Sequence, residues 1–248
     1  MEIVAIICCR GGSKGIPGKN IKKFCGKPLL GWIIDAAKAS GVFDQILLST
    51  DSPEIAEVGK FYGAIIPELR PAELATDTAN QFDTHAYIFN KRMIRDGAHF
   101  VCNLNNNPFI SSEIICAGYE KAKSNRFNHI VLDTFRLGGD YLYFRQCFQV
   151  GDRMRCQFPR DFSASQINRQ TVGPIYTAIN NMRWGKPSHL YSYENFKNEI
   201  VVNGFLDVEL PKMRNFDLDD LDDWDIAEAV MMQLIARFGK AEGNREQD

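Results

Sequence analysis

The sequence has neither an excess of charge of one sign nor a long apolar run. Its 29 basic and 31 acidic residues give a formal net charge of −2 over 248 residues, so the chain has no global positive field to hold a nucleic-acid backbone. The first apolar run, Ile3 to Cys9, stops at Arg10 and is too short for a membrane span or a secretory signal. We therefore expect a cytoplasmic protein that binds neither nucleic acid nor membranes.

Spacings typical of metal sites and of common nucleotide loops are also missing. The seven cysteines include no CxxC pair and the four histidines are scattered, so neither a disulfide framework nor a zinc site is predicted. The P-loop pattern fails because Ser13 stands where its first glycine should be and Asn20 replaces the Ser/Thr after the lysine. An NTPase of the P-loop class is therefore disfavoured.

What the chain does contain is an alternation of short apolar runs and longer segments with helical spacing. The runs lie at Ile3–Cys9, Gln45–Thr50, Phe100–Leu104 and His129–Leu132. The helical segments lie near Leu29–Ala39, Pro53–Tyr62, Gln81–Arg95 and Ser111–Ser124. This alternation is typical of βαβ units, so we predict an α/β fold with a doubly wound, mostly parallel sheet.

The chain length fits one domain, which we place at residues 1–238, followed by a flexible polar tail at 239–248. Residues from about 135 to 165 depart from the helix–strand alternation, with aromatic residues in strand-like spacing and a Gly151-Asp152 turn. We predict a small inserted β element there and expect it to form a contact in a homodimer.

The first predicted strand leads into a loop, residues 10–20, with four glycines and three cations. Glycines let backbone N–H groups approach an anion, and Arg10, Lys14 and Lys19 can neutralise a polyphosphate. Core packing does not require this mixture, so we interpret the loop as a triphosphate cradle. A glycine turn with solvated lysines is the alternative. Because ligands bind at the carboxyl ends of the strands in such sheets, Arg10, Asp51 and the loop Asn105–Pro108 should lie near one another.

An acidic run near the end of the sequence gives a second candidate site. Phe216 and Leu218 alternate with Asp217 and Asp219, so a short strand would bury the apolar pair and project both carboxylates from its other face. Two carboxylates together with substrate phosphates suit Mg²⁺. We expect Asp220 to cap the helix that follows. A solvated acidic surface is the alternative.

Three ordered motifs resemble those of a known family. The run from Ile7 through Ala36, with RGGSKGIPGKNIK and GKPLLGW, resembles the N-terminal motif of the acylneuraminate cytidylyltransferases, the CMP-sialic acid synthetases. Ser49-Thr50-Asp51 and the run Arg70 to Ala79 resemble two further family motifs. The resemblance implies a Rossmann-like nucleotidyltransferase that uses CTP and Mg²⁺, transfers CMP to a 2-keto-3-deoxy nonulosonic acid and releases pyrophosphate.

The resemblance also implies roles for individual residues. Catalysis would depend on Arg10, Lys19, Asp217 and Asp219, with the two aspartates as metal ligands. The nucleotide-binding residues would be Arg10, Gly11, Gly12, Ser13, Lys14, Lys19, Asn20, Arg70 and Asp77, with Asn20 and Arg70 directed at the base. Arg160 would bind the carboxylate of the sugar.

Two positions on the sugar side depart from the family pattern. Leu104 stands where the family usually has a glutamine that contacts substrate, and Val172 replaces an asparagine, so we expect a sugar other than N-acetylneuraminate. The amides of Asn105, Asn106 and Asn107 either bind the substrate or form Asx turns in their loop. The alternatives are a cytidylyltransferase for an eight-carbon keto-deoxy acid or another acidic sugar, and an inactive regulatory homologue that binds nucleotide or sugar.

Overall fold

The computed structural model describes residues 2–91, 98–136, 147–150, 153–156 and 176–242. The strands in these residues are β1 (Glu2–Cys8), β2 (Lys23–Phe24), β3 (Lys27–Pro28), β4 (Gln45–Ser49), β5 (Ala98–Leu104), β6 (Val131–Arg136), β7 (Cys147–Val150), β8 (Arg153–Cys156), β9 (Tyr176–Gly185) and β10 (Leu206–Glu209). The α-helices are α1 (Leu29–Ser40), α2 (Pro53–Tyr62), α3 (Gln81–Asn90), α4 (Ser112–Ser124), α5 (Pro187–Leu190), α6 (Tyr193–Asn203) and α7 (Leu221–Glu242).

Six strands form the main sheet, in the spatial order β10, β6, β9, β5, β1, β4. Strand β9 runs antiparallel to both of its neighbours, and the other five strands are parallel to one another. The predicted α/β fold with a mostly parallel sheet is therefore confirmed. The predicted strands correspond to β1, β4, β5 and β6 and the predicted helices to α1 to α4, whereas the antiparallel β9 was not predicted.

The apolar residues of β1 point alternately to the two faces of the sheet, as in any strand. Ile3, Ala5 and Ile7 pack in a cluster with buried residues of α1, α2 and α4. Val4 and Ile6 pack on the opposite face with Ile88 of α3 and Leu190 of α5. Helices thus cover both faces, which explains why β1 is a continuous apolar run.

A second apolar cluster lies beside the sheet and joins distant parts of the chain. Ile16 of the glycine loop, Phe24 of β2 and Phe109 pack there with Leu218 and Trp224. Further buried members come from α1 and α7: Leu29, Ala227, Met231 and Leu234. The cluster therefore fixes the acidic segment against the glycine loop.

The pairing of β6 with β9 contains a bulge. Leu132 pairs with Arg183 while Thr134 pairs with Ala178, so β9 has extra residues at this point. The buried carboxylate of Asp133 accepts hydrogen bonds from the backbone N–H groups of Met182 at 3.0 Å and Asn181 at 3.3 Å. These bonds satisfy donors that the interrupted ladder leaves without strand partners.

Part of the predicted inserted β element can be described. Strands β7 and β8 pair antiparallel around the predicted turn, and the remainder of residues 135–165 lies largely outside the described residues, as do Arg160 and Val172. Helix α7 extends to Glu242, within the predicted tail, and residues 243–248 lie outside the description. Among the described helices, none combines the length and the apolar character that a membrane crossing requires.

Candidate active site

A cleft of about 400 Å³ opens where the carboxyl ends of β1 and β5 meet. We call it the main cleft. Three of the segments that line it are far apart in the sequence: the glycine loop, the loop after β5, and the acidic segment. Their lining residues include Arg10, Ser13, Lys14, Lys19, Asn20, Asn105, Asn106, Asn107, Asp217 and Asp219. The structure thus brings most of the predicted site residues together.

A second cleft of about 330 Å³ adjoins the main cleft. We call it the side cleft. Its lining includes Arg70, Thr76 and Asp77, and it shares Cys8, Arg10 and Gln81 with the main cleft. The guanidinium of Arg70 is buried, with Nη1 3.3 Å from Thr84 Oγ1 and Nη2 3.7 Å from Asp51 Oδ1. The predicted base-contacting arginine is therefore held in the wall of this second space.

Hydrogen bonds close the glycine loop at both ends. The side-chain amide of Asn20 donates to the carbonyl of Arg10 at 2.8 Å, and Gly11 N–H donates to Asp51 Oδ1 at 2.9 Å. Gly18 has φ of +64°, a conformation that favours glycine. The proximity expected between Arg10 and Asp51 is present. These bonds fix the two ends of the loop, and the burial of Ile16 in the second apolar cluster fixes its middle.

Asp77 neutralises two cations of the glycine loop. Arg10 Nη2 lies 2.8 Å from Asp77 Oδ1, Lys14 forms an ion pair with the other oxygen, and Arg10 also donates to Thr76 O at 2.8 Å. The hydrogen bond from Lys14 and the charges of Lys14 and Arg10 hold the pKa of Asp77 below its usual value. Gly11 and Gly12 are exposed beside these groups. A polyphosphate in the main cleft would compete with Asp77 for the same cations.

The acidic pair lies in the main cleft, but the predicted strand is wrong. Residues 215–219 form no strand, although Leu218 is buried and Asp217 and Asp219 are exposed. Side chains of other segments hold this one in place, because Lys19 Nζ donates to Leu218 O and Asn107 Nδ2 donates to Phe216 O at 2.7 Å. Backbone carbonyls thus anchor the segment while its carboxylates face the cleft.

The acidic segment continues directly into α7. Asp223 N–H donates to Asp220 Oδ1 at 2.9 Å, and Asp223 Oδ2 accepts from the N–H groups of Asp219 at 3.0 Å and Asp220 at 3.3 Å. This reciprocal arrangement caps the helix, as predicted for Asp220. Asp220 and Asp223 thus cap the N-terminus of α7.

The donor set of Asp217 and Asp219 fits Mg²⁺. The described residues contain no cluster of three or more His, Cys, Asp or Glu side chains that could hold a metal, so within them the acidic pair has no third such ligand. Mg²⁺ typically takes one or two carboxylates and completes its octahedron with water and substrate phosphates. Two exposed carboxylates in a cleft lined by cations meet that requirement.

The three asparagines after β5 differ in their contacts. Asn107 is buried, and its Oδ1 accepts from Phe109 N–H at 2.9 Å while its Nδ2 holds Phe216 O, which is the loop-stabilising alternative. Asn106 donates to Asn20 Oδ1 at 2.8 Å, and Asn105 Oδ1 accepts from Gln81 at 2.6 Å. Leu104 is fully buried in the core. It does not line the cleft, so it does not stand at a substrate-contacting position.

The sequence reasoning missed several polar residues beneath the main cleft. Gln81, at the start of α3, and Asn181, in the bulge of β9, line the cleft. Arg183 is buried behind them, and its Nη2 donates to Gln81 Oε1. Gln81 is one polar residue among others on a predicted helix, and Asn181 and Arg183 lie on a strand that was not predicted. The sequence therefore gave no sign that they belong to a site. Their roles become visible only from the tertiary contacts.

The histidine of α3 extends this polar layer. His85 is fully buried, with Nδ1 2.9 Å from Leu190 O and Nε2 2.9 Å from Asn103 Oδ1. Burial lowers the pKa of His85 to about 4, although these two contacts oppose the shift. The imidazole is therefore neutral near pH 7.

The amino-acid sequence matches that of a known enzyme family. The sequence profile of a family described as Cytidylyltransferase matches residues 4–167. This match covers more than half of the chain, and the chain belongs to the cytidylyltransferase family. The family resemblance predicted from the N-terminal motifs is therefore confirmed.

Particular relatives are similar over part of the chain. The chain is 38% identical over 138 residues to pseudaminic acid cytidylyltransferase of Campylobacter jejuni, a match that covers 54% of this chain and 59% of that protein. It is 48% identical over 84 residues to CMP-N,N'-diacetyllegionaminic acid synthase of Legionella pneumophila, covering 34% of this chain and 36% of that protein. The chain thus spans less than two thirds of the length of these relatives.

The fold is also similar to that of a solved structure. The structure of CMP:2-keto-3-deoxy-manno-octonic acid synthetase complexed with CTP superposes with a TM-score of 0.69 and covers 94% of this chain and 100% of that chain. The two sequences are 14% identical, so this similarity concerns the fold alone.

The close approach of Gly15 to the acidic segment gives a first prediction. A Cβ at position 15 would overlap the carbonyl oxygen of Asp219 and lie 3.0 Å from its carbonyl carbon. We expect Gly15→Ala to lower the free energy of unfolding by about 1–3 kcal/mol, as overpacking does. Urea unfolding measures this change. Gly12→Ala is the matched control, because a Cβ there meets no atom within 4 Å; equal stability of the two variants would contradict the contact.

The buried imidazole gives a prediction about pH. The folded pKa of His85, about 4, lies below the unfolded value of about 6.5, so the unfolded chain binds the extra proton first and stability is lost as pH falls through this window. Between pH 7 and pH 5 the titration of His85 lowers the free energy of unfolding by about 2 kcal/mol. We expect the stability difference between wild type and His85→Gln to shrink by about that amount over the same range.

The comparison of wild type with His85→Gln is needed because the titration of Asp133 changes stability with pH in the opposite direction. Burial raises the pKa of Asp133 to about 6, so its contribution to stability decreases as pH rises. Both proteins contain Asp133, and its effect cancels in their difference. A difference in unfolding free energy that stays constant from pH 7 to pH 5 would show that His85 does not titrate as the structure indicates.

Proposed function

We propose that the chain is a cytidylyltransferase that transfers CMP from CTP to a 2-keto-3-deoxy nonulosonic (sialic-type) acid and releases pyrophosphate. The observation that carries the proposal is the meeting of three loop cations, Arg10, Lys14 and Lys19, with the carboxylates of Asp217 and Asp219 in one cleft. Membership of the cytidylyltransferase family and the activities for which the relatives are named support the same activity.

In the proposed reaction, the anomeric hydroxyl of the sugar attacks the α-phosphorus of CTP. The new bond joins that oxygen to phosphorus, and the bond from the α-phosphorus to the bridging oxygen breaks with its electron pair going to pyrophosphate. Arg10, Lys14 and Lys19 can neutralise the charge that develops on the departing pyrophosphate. Holding both substrates in the main cleft supplies the alignment, so no covalent enzyme intermediate is needed.

We further propose that Asp217 and Asp219 hold Mg²⁺. The ion, when bound, supplies positive charge beside the substrate phosphates. Lys19 supports this site from the protein side, because its ammonium group donates to the carbonyl of Leu218 between the two aspartates. The geometry therefore couples the phosphate loop directly to the acidic pair.

The proton of the attacking hydroxyl has few acceptors in the described lining of the main cleft. Asp217 and Asp219 are the carboxylates there. Cys8 and Cys9 also line the cleft, but burial raises both thiol pKa values, that of Cys8 to about 11, so both are protonated near neutral pH. The proton would pass to water or to one of the two aspartates.

The sugar remains a nonulosonic acid in this proposal, and we favour one other than N-acetylneuraminate. The names of the Campylobacter and Legionella relatives support pseudaminic-type and legionaminic-type acids. Leu104 no longer contributes to this choice, because it lies in the core. An eight-carbon keto-deoxy acid is the second candidate, and a homodimer stays part of the prediction.

The activity itself is tested by pyrophosphate release from CTP and Mg²⁺ over a panel of acids: pseudaminic, legionaminic, N-acetylneuraminic and an eight-carbon keto-deoxy acid. We expect turnover with at least one nine-carbon acid, with the CMP-sugar identified by mass. Asp219→Ala should lower turnover by two or more orders of magnitude and leave the fold intact, with Asp222→Ala as the control in the helix start. Wild-type protein that binds CTP but releases no pyrophosphate with any acid would support the regulatory alternative.

Lys19 allows a separate test of the phosphate assignment. If its ammonium group faces the β- and γ-phosphates, Lys19→Ala should weaken CTP binding by about tenfold or more, as expected for a charge-assisted contact, and change CMP binding much less. Calorimetry with both nucleotides measures this, with the exposed Lys23→Ala as control. Equal weakening of CTP and CMP would place Lys19 away from the leaving group, and no weakening would leave Lys19 only its structural contact with Leu218 O.

A further inference from the structure

The bulge of β9 directs an amide into the main cleft. Asn181 lies in the stretch where β9 has more residues than β6, and Asp133 holds its backbone N–H. Its side chain lines the cleft although the residue is only 7% exposed. The Nδ2 group has no hydrogen-bond partner among the described residues. A buried amide donor without a partner is costly, which indicates that a ligand atom completes it.

The orientation of a second amide follows from its neighbour. Arg183 has only donors, and its Nη2 donates to Gln81 Oε1. The oxygen of the Gln81 amide must therefore face Arg183, so its NH₂ group faces the other way. One N–H reaches Asn105 Oδ1 at 2.6 Å, and the second is available to the space that Gln81 lines. Gln81 thus presents a fixed donor to the cleft.

Arg183 strengthens this donor from behind. Its side chain is 6% exposed, and its guanidinium lies over the rings of Phe82 at 5.2 Å and Phe196 at 5.6 Å. Among the described residues, its guanidinium donates to the neutral amide of Gln81, and the carboxylate of Asp133 accepts from the backbone of the bulge. A buried cation polarises the amide that it holds, so the N–H end of Gln81 is made more positive.

We propose that Gln81 and Asn181 form a pair of amide donors that binds an anionic oxygen of the sugar acid, with Arg183 as the positioning residue behind Gln81. The inference rests on the proposed function. Two amide donors require an anionic oxygen as acceptor. The carboxylate of the sugar and a phosphate of the nucleotide both offer such an oxygen. The sugar is the assigned source, because both amides come from α3 and β9 and the phosphate-binding cations come from the glycine loop.

The test uses variants that keep side-chain size and remove the donor. Gln81→Glu preserves an acceptor for Arg183, so the buried cation keeps its partner while the cleft loses an N–H and gains a negative charge. Asn181→Asp likewise removes an N–H donor and adds a negative charge, here on β9. Gln45→Glu is the matched control, because Gln45 donates to Glu2 at 2.6 Å at the amino-terminal ends of β1 and β4. Thermal melts confirm that each variant is folded.

With the acid that wild type uses, we expect Gln81→Glu and Asn181→Asp to raise KM for the sugar by about tenfold or more, the loss expected for a hydrogen bond to a charged group. The Kd for CTP, measured by calorimetry without sugar, should change less than about twofold, and kcat should change less than KM. Gln45→Glu should match wild type in all three quantities. A folded Gln81→Glu with an unchanged sugar KM overturns the proposal.

Two further outcomes are distinguishable. A weaker Kd for CTP with an unchanged sugar KM would assign the acceptor to the nucleotide and overturn the sugar assignment. Wild-type protein that fails to turn over any acid of the panel refutes the proposed function, and this inference falls with it. Turnover by wild type with unaltered kinetics in both variants refutes this inference alone. If one variant fails to fold, the other, on a different element, still decides the matter.

Discussion

The burial of Ile16 in the same apolar cluster as Leu218 holds the site together. Apart from Ile16 and Pro17 the loop consists of glycines and polar residues, and Ile16 is only 1% exposed. Burying such a side chain contributes about 1.5–3 kcal/mol, more than the net contribution of about 1 kcal/mol from one ordinary hydrogen bond. The shape of the phosphate loop and the position of the acidic segment therefore depend first on an apolar contact.

Polar contacts then decide which groups face the cleft. Backbone carbonyls of the acidic segment are used for docking, since Lys19 binds Leu218 O and Asn107 binds Phe216 O. The carboxylates of Asp217 and Asp219 line the cleft, and one oxygen of Asp217 also accepts from Leu218 N–H at 3.0 Å. The same separation occurs in β9, where Asp133 holds the backbone of the bulge and the side chain of Asn181 faces the cleft. In both places backbone groups make the contacts that position the segment, and side chains line the cleft.

The sequence predicted those parts of the molecule that depend on local pattern. Strand β1 and the glycine loop could be recognised because apolar runs and glycine–cation mixtures are local features. Strand β9 could not, because its pairing is antiparallel and depends on Asp133, distant in the chain. Leu104 was assigned to the cleft by motif position, yet the alternation of β5 points it into the core. The orientation of the Gln81 amide depends on its hydrogen bond with Arg183. Sequence spacing does not predict that contact.

The bond from Lys19 to Leu218 joins residues that are 199 positions apart. During synthesis the glycine loop leaves the ribosome long before the acidic segment exists, so the loop cannot take its final shape until late in translation. Contacts of such large sequence separation also form slowly, because chain entropy must be lost before they stabilise anything. A nascent chain with a complete β1 and α1 would consequently still lack a competent phosphate site.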